Sequence, residues 1–552
     1  MDFQKEIKKA LKKEIGKELD LEIPPNPDLG DYAIPCFILA KQYKKDPSEI
    51  AKELADKLEI KEVRINATGP YLNFFVDKST TAKNVLSEIF KQEDYGSGSK
   101  KKETIVIDFS APNVAKHMGI HNLRSTVIGH ALSNTYKYLG YNVIGVNHLG
   151  DWGTNFGQLI VGIKKHSSLS KIKNVQDLNK IYVQFHKDVK KHPEMEQQAR
   201  DEFVNLENKK PEAKKYWQKF VNVSLKDYDK IYDRLGVKFE STKGESEYTR
   251  LVNGAIKLLE QKKLTKISDG ALVADVGKDM PPCLLKKTDG STLYGSRDIA
   301  AGMFRLKKYS PNKILYVVDV AQSLHFKQWF KVMEKLNKKN KTIFEHIVFG
   351  RLSFKDGTMS TRKGKVVILE DVLDKAAKKS LQIIKEKNPK LKNKAKVAEK
   401  VGVGAVIFSD LFNDRIHNIT FDWDKVLDFE GSTGPYIQYA YARCNSILKK
   451  YDKKIDDKIA FELLNEDAES ALLKMLQLFP EVVESVIKDN KPSLLAKYSV
   501  KLAQTFNNFY SACHVITEDE ELTKARSLLV HCTKKVLEKG LTLLGISAPS
   551  EM

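Results

Sequence analysis

The stretch IVIDFSAPNVAKHMGIHNLRST, residues 105–126, decides the fold of this chain. Its apolar start predicts a buried strand, Pro112 and Asn113 predict a turn, and apolar residues at helical spacing from Leu123 onward predict a helix. A strand that leads into a helix brings backbone N–H groups and the positive end of the helix dipole to one point, where a triphosphate can bind. The stretch therefore predicts a nucleotide site at a strand–helix junction.

The segments that follow this junction predict an α/β domain. A second strand, YNVIGVNHL at residues 141–149, comes after the helix and completes a βαβ unit. Charged helices then occupy about residues 160–260, and one of them has an apolar stripe that includes Tyr228. The segments ALVADV, CLLKK and KILYVVDV are expected to resume the strands, with a helix near residues 299–307. A helical insertion between two halves of one sheet fits this order best.

Regions of different composition flank the α/β domain. The first 80 residues hold an amphipathic helix, the Pro/Gly-rich IPPNPDLGDYAIPC and an alternating segment at residues 63–76, which together predict a small α+β domain. Residues 91–103 have the Gly/Ser and charge content of a linker. After about residue 390 the spacing is wholly helical, which predicts a C-terminal bundle. Its expected buried faces contain Ile437, Tyr441, Cys444 and Leu448, and Leu472, Leu476 and Val482.

Length and charge limit the possible functions. The chain has 552 residues, too many for one core, and a formal net charge of +21 that is carried mostly by scattered lysines. Such a surface is expected to bind a polyanion, although a lysine-rich proteome with a merely solvated surface is the alternative. No apolar run reaches the length of about 18 residues that a membrane helix needs, and the N-terminus mixes glutamate with lysine, unlike a transit peptide. We therefore expect a cytoplasmic protein without a membrane partner.

The cysteines are far apart in the sequence and show no metal-binding spacing. Because no C-x-x-C pair occurs, neither a zinc ribbon nor a disulfide framework is indicated, and the thiols are expected to be reduced and buried. They are Cys36, Cys283, Cys444, Cys513 and Cys532. His117 and His121 are spaced like a helical metal pair, but no third ligand is evident near them in the sequence. No protein-bound metal is predicted.

A second segment suited to phosphate is the run GTMSTRKGKVV at residues 357–367. Its glycines let the backbone approach a phosphate, while lysine supplies a point charge and arginine a fork of donors. Alone, such a run is more often a solvated turn. Together with the strand–helix junction, it predicts a mobile loop that closes over phosphate.

Six segments in this order resemble the class I arginyl-tRNA synthetases. They are SAPNVAK with LRST, NHLGDWGTNFG at residues 147–157, YGSRDIA at 294–300, AQSLHFKQ at 321–328, MSTRKG at 359–364 and FEGSTGPYIQYAYAR at 429–443. Each segment alone is a weak signal, but the match extends from GPYLNFF near Gly69 to the C-terminal GISAPSEM. The order makes the resemblance specific.

The resemblance implies a Rossmann-like α/β catalytic domain over residues 100–390, with a helical insertion at about 160–260. It also implies an N-terminal α+β domain at residues 1–90 that contacts tRNA, connecting helices at 391–430, and an all-α anticodon-binding bundle at 431–552. The implied reaction joins L-arginine to AMP with loss of pyrophosphate and then transfers the arginyl group to the terminal adenosine of tRNA(Arg). ATP is the implied substrate, Mg²⁺ accompanies it, and a monomer is expected.

The histidine signature of this enzyme class departs from its usual form here. Counted without gaps, Gly119, Ile120, His121 and Asn122 occupy the His-x-Gly-His positions, so neither histidine is in place. The amide of Asn122 can still donate a hydrogen bond to phosphate. Alternatively the backbone shifts locally, so that His117 and Gly119 supply the first half and His121 follows one turn later on the same face.

The second signature of this enzyme class, which lies in the run GTMSTRKGKVV, lacks two of its usual lysines here. Thr358 and Thr361 stand in their places, and the resemblance implies that Lys116 compensates; a solvated lysine on a turn is the alternative. The resemblance assigns catalysis to Lys116, His117, His121, Asn122 and Lys363. It assigns ATP binding to Gly119, His121, Asn122, Met359, Ser360, Arg362, Lys363 and Lys365.

Recognition of arginine requires a carboxylate for the guanidinium and preferably an aromatic face beside it. The resemblance assigns arginine binding to Asp108, Ser110, Asn113, Tyr294, Asp298 and Gln322. Asp108 stands where the family usually has glutamate, one methylene longer. The structural alternatives are a core strand position for Tyr294 and an N-cap for Asp298.

The resemblance assigns tRNA contacts near both ends of the chain. They are Tyr71, Asn73 and Phe74 in GPYLNFF, and Tyr436, Gln438, Tyr439 and Arg443 in the C-terminal bundle. An aromatic in GPYLNFF suits stacking on an extruded base, but the same pattern suits an edge strand. Because aromatics at helical spacing are more often core, we expect only some of the C-terminal set to contact RNA.

We therefore expect an active synthetase whose partners are tRNA(Arg), L-arginine and ATP. The alternative is a catalytically impaired synthetase-like protein that binds tRNA or a regulatory partner, because the histidine signature is irregular. A synthetase for another amino acid is disfavoured, since Asp298 with Tyr294 suits a guanidinium.

Overall fold

The computed structural model of the protein describes residues 3–22, 24, 29–277, 279–337, 341–354 and 367–552. By spatial contact the chain divides into two compact units. The first unit comprises residues 1–95, 443–479 and 502–536, and the second comprises residues 96–442, 480–501 and 537–552.

The N-terminal part of the first unit is an α+β fold, as predicted. Its antiparallel sheet has the order β1–β3–β2, with β1 at Tyr32–Pro35, β2 at Val63–Thr68 and β3 at Tyr71–Val76. The helices are α1 (Phe3–Ile15), α2 (Ala40–Tyr43), α3 (Pro47–Lys57) and α4 (Lys78–Lys91). Because β3 pairs with a strand on each side, the interpretation of GPYLNFF as an edge strand is wrong.

The segment predicted as a linker connects α4 to β4 (Thr104–Asp108) without a helix or strand of its own. Tyr95 is nevertheless buried in the first unit. Within the second unit, the N–H of Gly98 donates to the carbonyl of Tyr138 at 3.1 Å, and the N–H of Lys101 donates to that of Gly140 at 2.7 Å. These backbone bonds hold the segment in place, which its composition did not indicate.

A five-stranded parallel sheet forms the centre of the second unit, in the order β11–β10–β4–β5–β6. The other strands are β5 (Asn142–Leu149), β6 (Ser241–Gly244), β10 (Lys313–Asp319) and β11 (Ile343–Phe349). Helix α5 (Ile120–Tyr138) connects β4 to β5 and buries its predicted apolar face, which consists of Leu123, Val127, Ile128, Ala131 and Leu132. Strands β4, β5 and β10 were predicted, because parallel strands are covered on both faces and their sequences are mostly apolar. Strand β11, which contains Glu345 and His346, was not predicted. The polar STKG of β6 gave no such signal.

The predicted helical insertion leaves the sheet after β5. Its helices are α6 (Thr154–His166), α7 (Val175–Val189), α8 (Met195–Glu207) and α9 (Pro211–Leu235). Of the predicted stripe on α9, four residues are buried and two are half-buried. The buried ones are Phe220, Tyr228, Ile231 and Leu235, and the half-buried ones are Trp217 and Leu225. The chain then returns to the sheet as β6, before α10 (Glu245–Gln261).

Two segments expected to resume the main sheet form a separate one instead. ALVADV contains β8 (Ala271–Ala274) and CLLKK contains β9 (Cys283–Lys286), which pair with β7 (Thr265–Ser268) in an antiparallel sheet. The expectation was wrong for both because β7 and β8 are joined by two residues, Asp269 and Gly270, with φ of 49° and 76°. A two-residue turn of this kind joins antiparallel neighbours. KILYVVDV joins the parallel sheet as β10, between α11 (Tyr294–Tyr309) and α12 (Ser323–Leu336).

The region after residue 390 is helical apart from one short strand. Strand β13 (Ile419–Phe421) pairs in parallel with β12 (Leu352–Phe354), so the prediction of a wholly helical region was wrong there. Three residues are too few to give a readable alternation. The helices from residue 369 onward are α13 (Leu369–Lys387), α14 (Lys394–Leu411), α15 (Trp423–Val426), α16 (Gly434–Tyr451), α17 (Asp467–Gln477), α18 (Phe479–Asp489), α19 (Ser493–Ala512) and α20 (Glu520–Leu543).

The predicted core positions of the C-terminal helices are mostly buried. Ile437, Tyr441, Cys444, Leu472 and Leu476 are buried, while Leu448 and Val482 are half-buried. All five cysteines are buried free thiols. Within the described ranges, no helix combines the length and the apolar character that crossing a membrane requires.

Candidate active site

The segments predicted to carry chemistry meet at the carboxyl edge of the parallel sheet. Strand β4 ends at Asp108, β5 at Leu149 and β10 at Asp319, and the loops SAPNVAK, GDWG and AQS follow these strands. Strand β4 lies between β5 and β10, so the order of strands reverses beside it. Open α/β sheets bind ligands in the crevice at such a reversal.

The loop after β4 has a strained backbone. Three of its non-glycine residues have φ between 48° and 73°, in the left-handed region that side chains disfavour. They are Ser110, Ala111 and Ala115. The loop after β5 supports it, because the N–H of Gly150 donates to the carbonyl of Pro112 at 3.1 Å. A Cβ on Gly150 would lie 2.2 Å from Oδ1 of Asn113, so a larger residue here would displace that amide.

Helix α5 begins directly after Gly119, at the predicted phosphate position. The N–H of Gly119 donates to Oδ1 of Asn122 at 3.0 Å. Asn122 thus uses its oxygen to cap its own helix, and its Nδ2 is the group that can donate to a phosphate. Nε2 of His117 lies 2.7 Å from Oε1 of Gln176 on α7, so the insertion holds this imidazole.

His121 and Lys116 are exposed on either side of the helix start. Partial desolvation lowers the pKa of His121, and the positive charge of Lys116 lowers it further. The carboxylate of Asp319 acts in the opposite direction but does not outweigh these two effects. The structure thus brings these two predicted residues together at the N-terminus of α5.

The chain returns from the second predicted phosphate segment to this same helix end. The N–H of Ile120 donates to the carbonyl of Val367, and the N–H of Leu369 donates to that of Met118, both at 2.9 Å. The predicted ligands within the segment lie outside the described residues. They are Met359, Ser360, Arg362, Lys363 and Lys365.

Two predicted arginine ligands lie one turn apart at the start of α11. Tyr294 is 67% exposed and begins a helix, so the alternative of a core strand position is wrong for it. Asp298 is the fifth residue of the helix, so the alternative of an N-cap is wrong for it. Oδ2 of Asp298 lies 2.5 Å from Nε2 of His325 on α12, a partner that the sequence did not indicate. Gln322 and Asn113 are exposed.

The other two predicted arginine ligands are bonded inside the protein. Asp108 is 5% exposed, and its Oδ2 lies 2.7 Å from Nη2 of Arg305 and 3.8 Å from Nδ1 of His148. Burial acts to raise the pKa of Asp108, but the charge of Arg305 and the contact with His148 hold it below its usual value. Ser110 is buried, with its Oγ 2.8 Å from the hydroxyl of Tyr232. The sequence did not indicate these internal partners, and the part of both residues in arginine binding stays a prediction.

Of the predicted N-terminal tRNA contacts, Tyr71 reaches the surface. It is 40% exposed and packs edge-to-face against the exposed Phe37, with ring centres 6.1 Å apart, beside the exposed Ile38. Asn73 and Phe74 are 2% and 0% exposed, so the expectation of a surface contact by their side chains is not met. They lie on the central strand of the sheet, where Phe74 belongs to the core.

The predicted C-terminal tRNA contacts also divide by burial. Gln438 is fully buried, and its Nε2 donates to the carbonyl of Ser547 at 2.7 Å, which makes it a structural residue. Tyr439 is 39% exposed, Tyr436 is half-buried, and the guanidinium of Arg443 lies over an aromatic ring of α19 at 5.0 Å. Tyr439 presents the most surface of the four.

A row of hydroxyls on α9, which the sequence did not indicate as functional, contacts the loop after β4. They belong to Ser224, Tyr228 and Tyr232. The apolar stripe on α9 predicts that Tyr228 is a core aromatic, and Tyr228 is indeed buried. Their spacing of four residues is visible in the sequence, but the loop they contact lies more than 100 positions upstream.

Family models cover nearly the whole chain. The one described as "tRNA synthetases class I (R), catalytic domain" matches residues 84–423, more than half of the chain. "Arginyl tRNA synthetase N terminal domain" matches residues 1–76, and "DALR anticodon binding domain" matches residues 437–552.

Full-length relatives agree with these matches. The arginine–tRNA ligases of Halothermothrix orenii and Clostridioides difficile are each 43% identical to this chain over 568 and 564 residues, with all of both chains covered. The arginyl-tRNA synthetase structure of Thermus thermophilus matches with a TM-score of 0.84 at 26% identity, and that of Plasmodium falciparum with 0.82 at 25%; both cover 100% of this chain and 99% of the other. These matches give no support to the alternative of an impaired tRNA-binding paralogue. The chain belongs to the class I arginyl-tRNA synthetases and is an arginine–tRNA ligase.

Proposed function

We propose that arginyl-adenylate forms in the crevice between β4 and β10. The carboxylate of arginine attacks the α-phosphorus of ATP, the bond from that phosphorus to the bridging oxygen breaks, and pyrophosphate leaves with the electron pair. A hydroxyl of the terminal tRNA ribose then attacks the arginyl carbonyl and loses its proton, and AMP leaves. The protein supplies no nucleophile, so its residues act by positioning and by stabilising charge.

The convergence of groups at the start of α5 supports this placement best. Lys116, His121 and Asn122 lie within one turn of the helix N-terminus, and the second phosphate segment returns there at Val367. Backbone N–H groups and the helix dipole favour an anion at this point. We assign the triphosphate to Lys116, His121 and Nδ2 of Asn122, and adenine to the space beside Gly119. His117 then acts as a support held by the insertion.

Further cations for the triphosphate come from the second segment. We propose that Lys363 stabilises the charge of the transition state. ATP contacts are assigned to Met359, Ser360, Arg362 and Lys365. Lysine and arginine in such a run suit the charge that builds on the leaving pyrophosphate.

Mg²⁺ is proposed to arrive with ATP. The donors at the helix start are an ammonium, an imidazole and an amide, which fit phosphate oxygens better than a hard cation. Among the residues that the structure describes, no three His, Cys, Asp or Glu side chains cluster in a way that could hold a metal. Phosphate oxygens of ATP would then supply its ligands, and the protein would contribute by binding the phosphates.

The start of α11 is proposed to recognise the guanidinium. Oδ2 of Asp298 is engaged by His325, so Oδ1 is the oxygen offered to the substrate. The exposed ring of Tyr294 suits the cationic face of the guanidinium. Gln322 and Asn113, exposed on loops of the same sheet edge, hold the rest of the amino acid. Asp108 and Ser110 are proposed to stabilise this sheet edge through their buried contacts with Arg305 and Tyr232.

Contacts with tRNA are proposed on each unit separately. In the first unit, Tyr71 with Phe37 and Ile38 forms an exposed apolar surface on which a base can stack. Arg443, which also lies in the first unit, is assigned to anticodon binding. In the second unit, Tyr439 is assigned to the same function. The net charge of +21 suits a polyanionic partner. We further propose a cytoplasmic monomer and retain the domain ranges 1–90, 100–390, 391–430 and 431–552.

Exchange of pyrophosphate into ATP, with a cognate tRNA transcript present, tests the site. Arginine should support exchange and other amino acids should not. Lys116→Ala should lower the exchange rate by about 100-fold or more, because one donor to transition-state charge is typically worth about 10²–10³ in rate. Its Kd for tRNA should change by less than about twofold, since one exposed charge contributes little.

A matched control is Lys102→Ala, which removes an exposed lysine before β4. It should leave both measurements near wild type. Equal losses of exchange and of tRNA binding in Lys116→Ala would contradict the assigned role, and an absence of exchange at every enzyme concentration would contradict catalysis by this chain.

A further inference from the structure

The hydroxyl row on α9 is buried against the loop that carries the proposed phosphate lysine. Ser224, Tyr228 and Tyr232 are four residues apart, so they lie along one face of the helix. They are 0%, 1% and 5% exposed. A buried hydroxyl is costly unless it is hydrogen-bonded, and all three find partners in or beside this loop.

Tyr228 makes the most direct contact with the functional part of the loop. Its hydroxyl oxygen lies 2.6 Å from the carbonyl oxygen of Asn113 and 2.7 Å from that of Lys116. One O–H donor is thus placed between two carbonyls that are three residues apart. Burial raises the pKa of Tyr228, so the hydroxyl remains protonated and a donor at neutral pH. The contact fixes the backbone from which both proposed ligand side chains extend.

The neighbours of Tyr228 on the helix contact the strained residues of the loop. The N–H of Ala115, where φ is 66°, donates to Oγ of Ser224 at 2.9 Å. Oγ of Ser110, where φ is 73°, lies 2.8 Å from the hydroxyl of Tyr232. Left-handed backbone persists in non-glycine residues when surrounding contacts require it. The helix thus holds the loop in a conformation that the loop's own residues disfavour.

We propose that Tyr228 is a positioning residue for arginine activation. It holds the carbonyls of Asn113 and Lys116, and thereby fixes the direction in which the ammonium of Lys116 enters the phosphate site. By this contact the helical insertion becomes part of the active site, although Tyr228 does not touch the substrate. The inference rests on the role proposed for Lys116.

Tyr228→Phe removes the hydroxyl and keeps the buried ring. It should lower kcat of pyrophosphate exchange by about tenfold, the effect of losing one buried hydrogen bond, and leave the KM of ATP within about threefold. Tyr216→Phe makes the same change twelve positions earlier on α9 and should leave kcat within about twofold of wild type. A fall in kcat equal in the two variants, or no fall in Tyr228→Phe, would overturn the inference.

A double-mutant cycle with Lys116→Ala separates positioning from a general loss of structure. If Tyr228 acts through Lys116, adding Tyr228→Phe to Lys116→Ala should lower kcat by less than about twofold. A further tenfold loss in the double variant would overturn the inference while leaving the role of Lys116 intact. If instead Lys116→Ala alone retains full exchange, the proposed function of Lys116 fails, and the two failures are thus distinguished.

Discussion

Replacing Asp298 with asparagine should show how the pocket recognises a guanidinium. The side chain of Asp298 is 29% exposed, and its Oδ2 already accepts a hydrogen bond from His325 at 2.5 Å. The substrate therefore gains one charge-assisted bond to Oδ1 rather than a two-bond fork. A bond to a charged group contributes about 1.5–3 kcal/mol, which corresponds to about 10- to 150-fold in kcat/KM for arginine.

Citrulline provides a second measure of the same contact. It has the shape of arginine but a neutral ureido group, so the carboxylate of Asp298 should discriminate against it. In Asp298→Asn the charge is absent and the amide can donate to the ureido oxygen. The ratio of kcat/KM for arginine to that for citrulline, measured by pyrophosphate exchange, should fall by the same 10- to 150-fold.

A change of net charge alone should not have this effect. Asp289→Asn removes an equal charge from the turn before α11, and kcat/KM should stay within about threefold of wild type. If Asp298→Asn also stays within that range, and its preference for arginine over citrulline is unchanged, the guanidinium is recognised elsewhere and the assignment of Asp298 is refuted.

The remaining predictions concern packing around the site. Gly150→Ala places a Cβ 2.2 Å from Oδ1 of Asn113, so the amide must rotate; the KM for arginine should rise about tenfold, and an unchanged value would show that Asn113 does not hold the substrate. Arg124 and Asp410 are each 1% exposed and form an ion pair at 3.0 Å, and Nη1 of Arg124 also donates to the carbonyls of Gly350 and His417. Arg124→Met should therefore cost about 3–5 kcal/mol in stability by leaving a buried carboxylate and these carbonyls without their partner. Calorimetry should find that Arg124→Met with Asp410→Leu recovers the part of this loss that comes from the unpaired carboxylate, while the loss at the two carbonyls remains; a double variant no more stable than the single one would contradict the reasoning.

The strand–helix junction was predictable because its signals are local. The apolar run of β4 and the face of α5 follow from burial on both sides of a parallel sheet, and Asn113 follows Pro112 where the chain must turn. Segments that lack such signals were missed or misplaced. The polar β6 is an edge strand, and the sheet that contains β8 is antiparallel because of a two-residue turn.

Partners of the candidate site residues were not predictable from local pattern. Asp108 meets Arg305, Asp298 meets His325, and neither pairing has a periodicity that marks it in the chain. The sequence of GPYLNFF also did not show which of its side chains are buried. Polar and apolar residues can alternate in the same way on a central strand and on an edge strand. The register of β3 between β1 and β2 decides that Asn73 and Phe74 point into packed surroundings while Tyr71 reaches solvent.

The sequence by itself determined the α/β class, the strand–helix junction at which we propose that the nucleotide binds, the helical insertion and, through its ordered motifs, the family. These rest on spacing and composition within short windows, where the periodicity of a strand or helix is written directly in the residues. The tertiary structure alone decided which candidates are exposed, which carboxylates are already paired, and that α9 holds the loop at Lys116. The contact between α9 and Lys116 joins residues 112 positions apart, and its geometry exists only once the helices have packed on the sheet.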